Sequence, residues 1–127
     1  MRILDIVFMA ATLLPIAATT SADGATTGIS YPSELHGTWD LGPHNCRLPL
    51  NPDSDTPLRI ESGRVLGYEH VETPLHVGAV SSRPRAWTVT AISDEAPGIE
   101  IDDLYILKDD HLTISDGETT RQFRRCR

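Results

Sequence analysis

The chain has 127 residues, with 18 Asp and Glu against 11 Lys and Arg and a formal net charge of −7. That length holds one domain, and the acidic balance excludes a protein that coats nucleic acid or anionic lipid through bulk charge. Only two cysteines are present, Cys46 and Cys126.

Residues 1–22 read as a secretory signal peptide. Met1-Arg2 gives a positive start, "ILDIVFMAATLLPIAA" is apolar but for Asp5, and "TTSA" places Thr20 and Ala22 where small residues precede cleavage. The segment is too short to span a bilayer comfortably, and no cysteine near the cleavage site offers a lipid anchor. The expected location is periplasmic or secreted, without stable membrane insertion. In that setting Cys46 and Cys126 read as one disulfide, not as metal ligands or nucleophiles. Residues 23–33, "DGATTGISYPS", are polar and glycine-rich and read as a flexible N-terminal arm. Residues 34–127 form the domain.

Short β-type runs follow at a spacing of roughly ten residues, and none carries a sustained helical period. "LHGTWDL" opens, and the loop "GPHNCRLPLNPDSDTP" is too rich in Pro, Asn and Asp to be regular. "LRIE" is turned by "SGR" into "VLGYEHVE", which puts Leu66, Tyr68 and His70 on one face. "LHVGAVS" is broken by Arg83-Pro84. "AWTVTAI" alternates cleanly, with Trp87, Val89 and Ala91 together. "IEIDDLYIL" places Ile99 and Ile101 on one face before Asp102-Asp103 interrupts the pattern. "HLTIS" and "TTRQFRRCR" are joined through Asp116-Gly117, a strong hairpin signal.

Eight strands joined mostly by tight turns predict an all-β protein: a small antiparallel up-and-down barrel whose closure removes exposed edges. A two-sheet sandwich is the competing architecture. The strands are short and their outward faces charged, which argues against an outer-membrane barrel. The expected inward residues are Trp39, Leu41, Leu58, Ile60, Val77, Trp87, Val89, Leu112, Ile114 and Phe123. They are enough to fill the interior rather than surround a spacious cavity. Cys46 follows the first strand and Cys126 lies in the last, so a disulfide between them makes those strands neighbours.

In "LHGTWDL" a Gly-x-Trp opens the first strand, and arginines crowd the last. The pattern resembles the calycin superfamily of lipocalin-like barrels. That resemblance implies that Trp39 plugs one end, that Gly37 permits close approach, and that Arg121, Arg124 or Arg125 packs over the indole. Locally, "ELHGTWDLGPHNC" is similar to the opening strand of the bacterial alkaline proteinase inhibitor family. This second resemblance implies a periplasmic inhibitor whose N-terminal arm enters a metalloprotease cleft.

Other constellations carry less. His36, Asp40, His44 and Cys46 lie within eleven positions, but strand alternation and the loop point them in different directions, so no metal site is expected. Glu69 and His70 are strand neighbours facing opposite ways, and His76 adds no third group. Asp102, Asp103, Asp109 and Asp110 lack the spacing of a calcium loop. No catalytic motif and no cofactor is expected. Tyr68, His70 and Trp87 are the candidate binding residues. The arginine-rich tail could meet an anion or acidic partner, but the favoured reading has one arginine covering Trp39 and the others offsetting the acidic body. The functional expectation is an exported, non-enzymatic binding protein for a small apolar ligand or a protein partner, with protease inhibition through the arm as the alternative.

Overall fold

The computed structural model describes residues 28–127. Residues 1–22, expected to be a signal peptide, and residues 23–27 of the expected arm lie outside the described residues. A short 3₁₀ turn, Ser33–Leu35, leads into eight strands: β1 (Gly37–Leu41), β2 (Leu58–Ile60), β3 (Val65–Leu66), β4 (Val71–Ser82), β5 (Arg85–Ser93), β6 (Glu100–Lys108), β7 (His111–Ser115) and β8 (Thr120–Arg125). Each pairs antiparallel with its successor, and β1 pairs with β8. The result is a closed eight-stranded up-and-down barrel, consistent with a calycin-like fold. The ring closes with uneven ladders: β3 pairs β4 only at Val71 and Glu72, although β4 runs on to Ser82.

The strands form where alternation lets one face bury. Along β5, Trp87, Val89 and Ala91 point inward while Thr88 lies exposed between them. Trp39, Leu58, Ile60, Leu112, Ile114 and Phe123 join them in a single packed cluster, with Val77 partly buried against it. Leu41 does not join. It is the last residue of β1, where the chain leaves through Gly42 at φ +118°, and its side chain is exposed.

The third and fourth strands are divided differently from the expectation. "VLGYEHVE" is not one strand, because the chain reverses within it. The Gly67 N–H donates to the His70 carbonyl at 3.0 Å, Glu69 takes a left-handed φ of 57°, and β4 begins at Val71. A side chain at Gly67 would collide with the His70 ring, so this reversal requires glycine there. Thr73-Pro74 lies inside β4, with a bulge between Pro74 and His76 accommodating the proline.

All strands run up and down, so the connections fall at two ends. One end, here called the base, carries the start of β1, the β2–β3, β4–β5 and β6–β7 turns and the end of β8. The loop after β1 doubles back along β8, and Cys46 and Cys126 are disulfide-bonded there across 80 positions of sequence. Cys46 and Arg127 also share a backbone hydrogen bond, as do Leu48 and Arg127.

The predicted arm is in part structural. Tyr31 is buried in the core and its N–H donates to the Ser62 carbonyl at 2.8 Å. Leu35 is wholly buried. An aromatic ring and a leucine gain more from burial than a short polar segment loses in ordering, so 31–33 belong to the barrel. Of the described arm residues, Gly28–Ser30, with Ile29 exposed, project from it.

Candidate functional site

The base is closed by a compact arrangement around Trp39. The indole N–H donates to the Leu35 carbonyl at 2.9 Å. Of the three candidate arginines, Arg125 covers the ring, its guanidinium carbon 4.2 Å from the centroid. Its two terminal nitrogens donate to the His36 and Glu34 carbonyls, each at 2.8 Å. Gly37, at φ +139°, explains its own identity: a Cβ there would meet the Arg125 guanidinium at 3.0 Å. Arg121 lies elsewhere, over Phe123 at 5.9 Å and 4.0 Å from Asp103. Arg124 is half-buried beside the disulfide.

Around this plug the surface is cationic. Arg47, Arg124, Arg125 and Arg127 line a hollow of about 370 Å³ beside the disulfide. A second hollow, sharing Arg125 and Arg127, extends to Arg85 and Glu34. A third continues from Arg85 to Arg83 and Lys108. The residues lining these three hollows include seven cationic side chains and three carboxylates, Glu34, Asp109 and Asp110, in a chain of net charge −7. The opposite end is its complement. Its three tight turns, over residues 67–70, 94–99 and 116–119, hold five carboxylates and no Lys or Arg.

Some of the base charges are committed to one another. Arg127 grips Asp110 through Nε at 3.2 Å and a terminal nitrogen at 2.8 Å, and Arg125 Nε lies 3.3 Å from the same carboxylate. The paired Arg127 guanidinium holds the Asp110 carboxyl below its ordinary range. Arg85 pairs with Glu34 at 3.1 Å. Among the described residues, Arg47, Arg83, Lys108 and Arg124 make no side-chain hydrogen bond or ion pair, and the Arg124 Nε is buried without a partner.

A second polar cluster lies inside the barrel. Glu72 and Asp103 are buried, as are Tyr31 and Tyr105, whose ring centroids are 6.1 Å apart. Burial raises both carboxyl pKa values. His70, its Nε2 3.5 Å from Glu72, opposes the rise at Glu72, and Arg121 opposes it at Asp103. Burial likewise pushes both tyrosine hydroxyls up, and Glu72 adds to the rise at Tyr31. The Tyr31 hydroxyl has no hydrogen-bond partner among the described residues.

Of the candidate binding residues, Tyr68 is neither interior nor on a strand. It lies exposed in the β3–β4 turn, facing a shallow hollow with Leu50 and Pro57. His70 turns back to the Tyr68 carbonyl through Nδ1 at 3.1 Å and toward Glu72. Trp87 is buried in the core, cross-strand from Ala79 and Tyr105. The three residues form no common site.

The polar residues of the opening stretch serve separate local purposes. His36 Nε2 bonds the Tyr31 carbonyl at 2.9 Å, Asp40 accepts from the Thr56 hydroxyl at 2.6 Å, His44 is exposed and Cys46 is oxidised. Sequence reasoning missed the buried Glu72 and Asp103. Continued alternation from Ile101 through Asp103 to Tyr105 and Leu107 was the available signal for Asp103. Nothing comparable marked Tyr31, which stands in a glycine-rich segment.

Comparison with protein-family models, with curated proteins and with solved structures gave no match. The class of the molecule is therefore set by its architecture: a small closed antiparallel barrel with one disulfide. Among the described residues no helix is long and apolar enough to cross a membrane.

Proposed function

We propose that this is an exported, non-enzymatic binding protein whose base end docks an acidic protein partner. The observation that carries the reading is the concentration of cationic side chains in three contiguous hollows at one end of an acidic chain. Such a charge separation steers an encounter and fixes its orientation. A small apolar ligand has less support, because the inward side chains pack against one another and Trp87 is part of that packing.

Protease inhibition through the arm is the second reading. It draws support from the anchoring of Tyr31 and the Ser33–Leu35 turn at the same base end, which fixes the point from which residues before Tyr31 emerge. The resemblance of "ELHGTWDLGPHNC" to the inhibitor family points the same way.

The test is capture from the exported fraction of the producing cell by the mature, oxidised protein, compared with R83E/K108E and with a chain beginning at Ser30. Docking at the base predicts that the charge-reversed variant loses the captured protein and that added salt releases it. Undiminished capture by R83E/K108E refutes base-end docking. Loss only in the shortened chain transfers the activity to the arm.

A further inference from the structure

We propose that the hollow beside the disulfide is a carboxylate seat, formed by Arg47 and Arg124 and receiving an acidic side chain of the docked partner. The inference rests on base-end docking and names the chemistry of one position within it.

The four arginines of this hollow are not equivalent. Arg125 spends its guanidinium on Trp39 and on the carbonyls of Glu34 and His36, and Arg127 spends its own on Asp110. Asp110 is thereby saturated by Arg127 and Arg125. Arg47 and Arg124 remain, with no anionic partner among the described residues and with the Arg124 Nε buried. The buried Nε is closed to an incoming group, but the terminal nitrogens of Arg124 and the guanidinium of Arg47 make no hydrogen bond among the described residues and are free to donate. A carboxylate matches the planar fork of a guanidinium.

The seat has a built-in positioning device. Arg47 adjoins Cys46 in the irregular loop after β1, whereas Arg124 lies on β8 two positions before Cys126. The Cys46–Cys126 bond, with the hydrogen bonds of Arg127 to Cys46 and Leu48, holds the loop against the strand. The two arginines come from positions 77 apart and line one hollow where the disulfide and these hydrogen bonds hold the loop beside the strand.

Capped hexaglutamate is the probe, titrated into the mature oxidised protein at low salt and followed by calorimetry. Saturable binding is expected, weakened at least ten-fold by R47Q/R124Q and within two-fold of wild type for R59Q/R64Q, whose native arginines pair with Glu61. Thermal unfolding establishes that each variant is folded. Absence of binding by wild type, or R47Q/R124Q binding within two-fold of it, overturns the seat. Folded C46A/C126A should bind as weakly as R47Q, and wild-type affinity in that variant overturns the positioning role of the disulfide. If C46A/C126A does not fold, R47Q alone decides Arg47. A salt-sensitive dimer in sizing experiments, abolished by R47Q/R124Q, assigns the seat to the acidic end of a second copy and overturns the partner named here. Seat and docking fail separately. R47Q/R124Q at wild-type affinity removes the seat, whereas capture that survives R83E/K108E removes docking.

Discussion

Arg125→Ala should be the most costly single change at the surface of this barrel. The guanidinium makes two 2.8 Å hydrogen bonds to the carbonyls of Glu34 and His36 and lies 4.2 Å from the Trp39 ring centroid. Hydrogen bonds with one charged partner contribute roughly 1.5–3 kcal/mol each, and the lower bound is appropriate because the side chain retains some exposure. The cation–π contact adds about 1 kcal/mol. The Asp110 contact is solvent-exposed and is left out of the sum. A loss of about 4 kcal/mol results, a large fraction of the stability of a domain this size. Urea unfolding of the oxidised protein, followed by tryptophan fluorescence, measures it directly. At an m-value of about 1.5 kcal/mol/M the midpoint should fall by between about 2 and 3 M. Arg125→Lys keeps the charge but not the two-pronged geometry, and should lose about half as much. A loss below about 1 kcal/mol in Arg125→Ala, or a lysine variant equal to wild type, refutes the assignment of Arg125 as the clasp over Trp39.

Other perturbations have equally definite outcomes. Gly37→Ala places a Cβ at 3.0 Å from the Arg125 guanidinium on a backbone of φ +139°, and should lower the unfolding free energy from urea titration by about 1–3 kcal/mol. Combining it with Arg125→Ala should be less than additive. Replacing both cysteines by alanine should cost roughly 4 kcal/mol through loop-closure entropy over 80 positions, read as the difference in unfolding free energy from the oxidised wild type. Tyr31→Phe should be neutral or stabilising by up to about 1 kcal/mol, since the hydroxyl it removes is buried without a partner, whereas Tyr31→Ala should cost about 3–5 kcal/mol in the same assay. Glu72 and Asp103 have carboxyl pKa values raised by burial, so the folded state binds protons that the unfolded state releases. Their contribution is fully present below the ordinary carboxylate range of about 4 and is lost as pH rises through their raised values. Glu72→Gln should therefore be more stable than wild type at neutral pH and show a shallower decline above pH 4, as measured by urea midpoints across pH 4–8. An unchanged slope would place the titration elsewhere.

The barrel was legible because its information is local and repeated. Alternation in "AWTVTAI", tight-turn residues at regular intervals and a cysteine pair bracketing the domain all point to one antiparallel meander closed on itself. Legibility failed where a single non-local contact decides the outcome. Tyr68 and His70 fit a strand by alternation, but Gly67 lets the chain reverse and the His70 ring occupies the space a side chain would need. Tyr31 stands in a segment whose composition reads as flexible, and only its contact with the core shows that it belongs to the barrel. Asp103 failed for a different reason. Its charge outweighed a period that in fact continues unbroken through Tyr105 and Leu107. The choice of Arg125 among three arginines depended on which of them reaches Trp39, a matter of register between β1 and β8.

Closing the barrel does not require so many cations at its base. Arg125 supplies the clasp, and Arg127 and Arg85 are matched by Asp110 and Glu34. A chain with 18 acidic residues has ample carboxylate to neutralise the others, yet Arg47, Arg83, Lys108 and Arg124 are left without it among the described residues. Grouping like charges at one end costs Coulomb energy in the free protein. Placing five carboxylates and no cations in the turns of the far end forgoes the cheapest remedy. Stability alone would intermix the two signs. The separation instead favours a contact in which an acidic surface supplies the missing partners, and the free protein is then the state in which those arginines are unsatisfied. Neutralising Arg47 and Arg124 should consequently leave the isolated barrel as stable as wild type, or slightly more so, while weakening the complex.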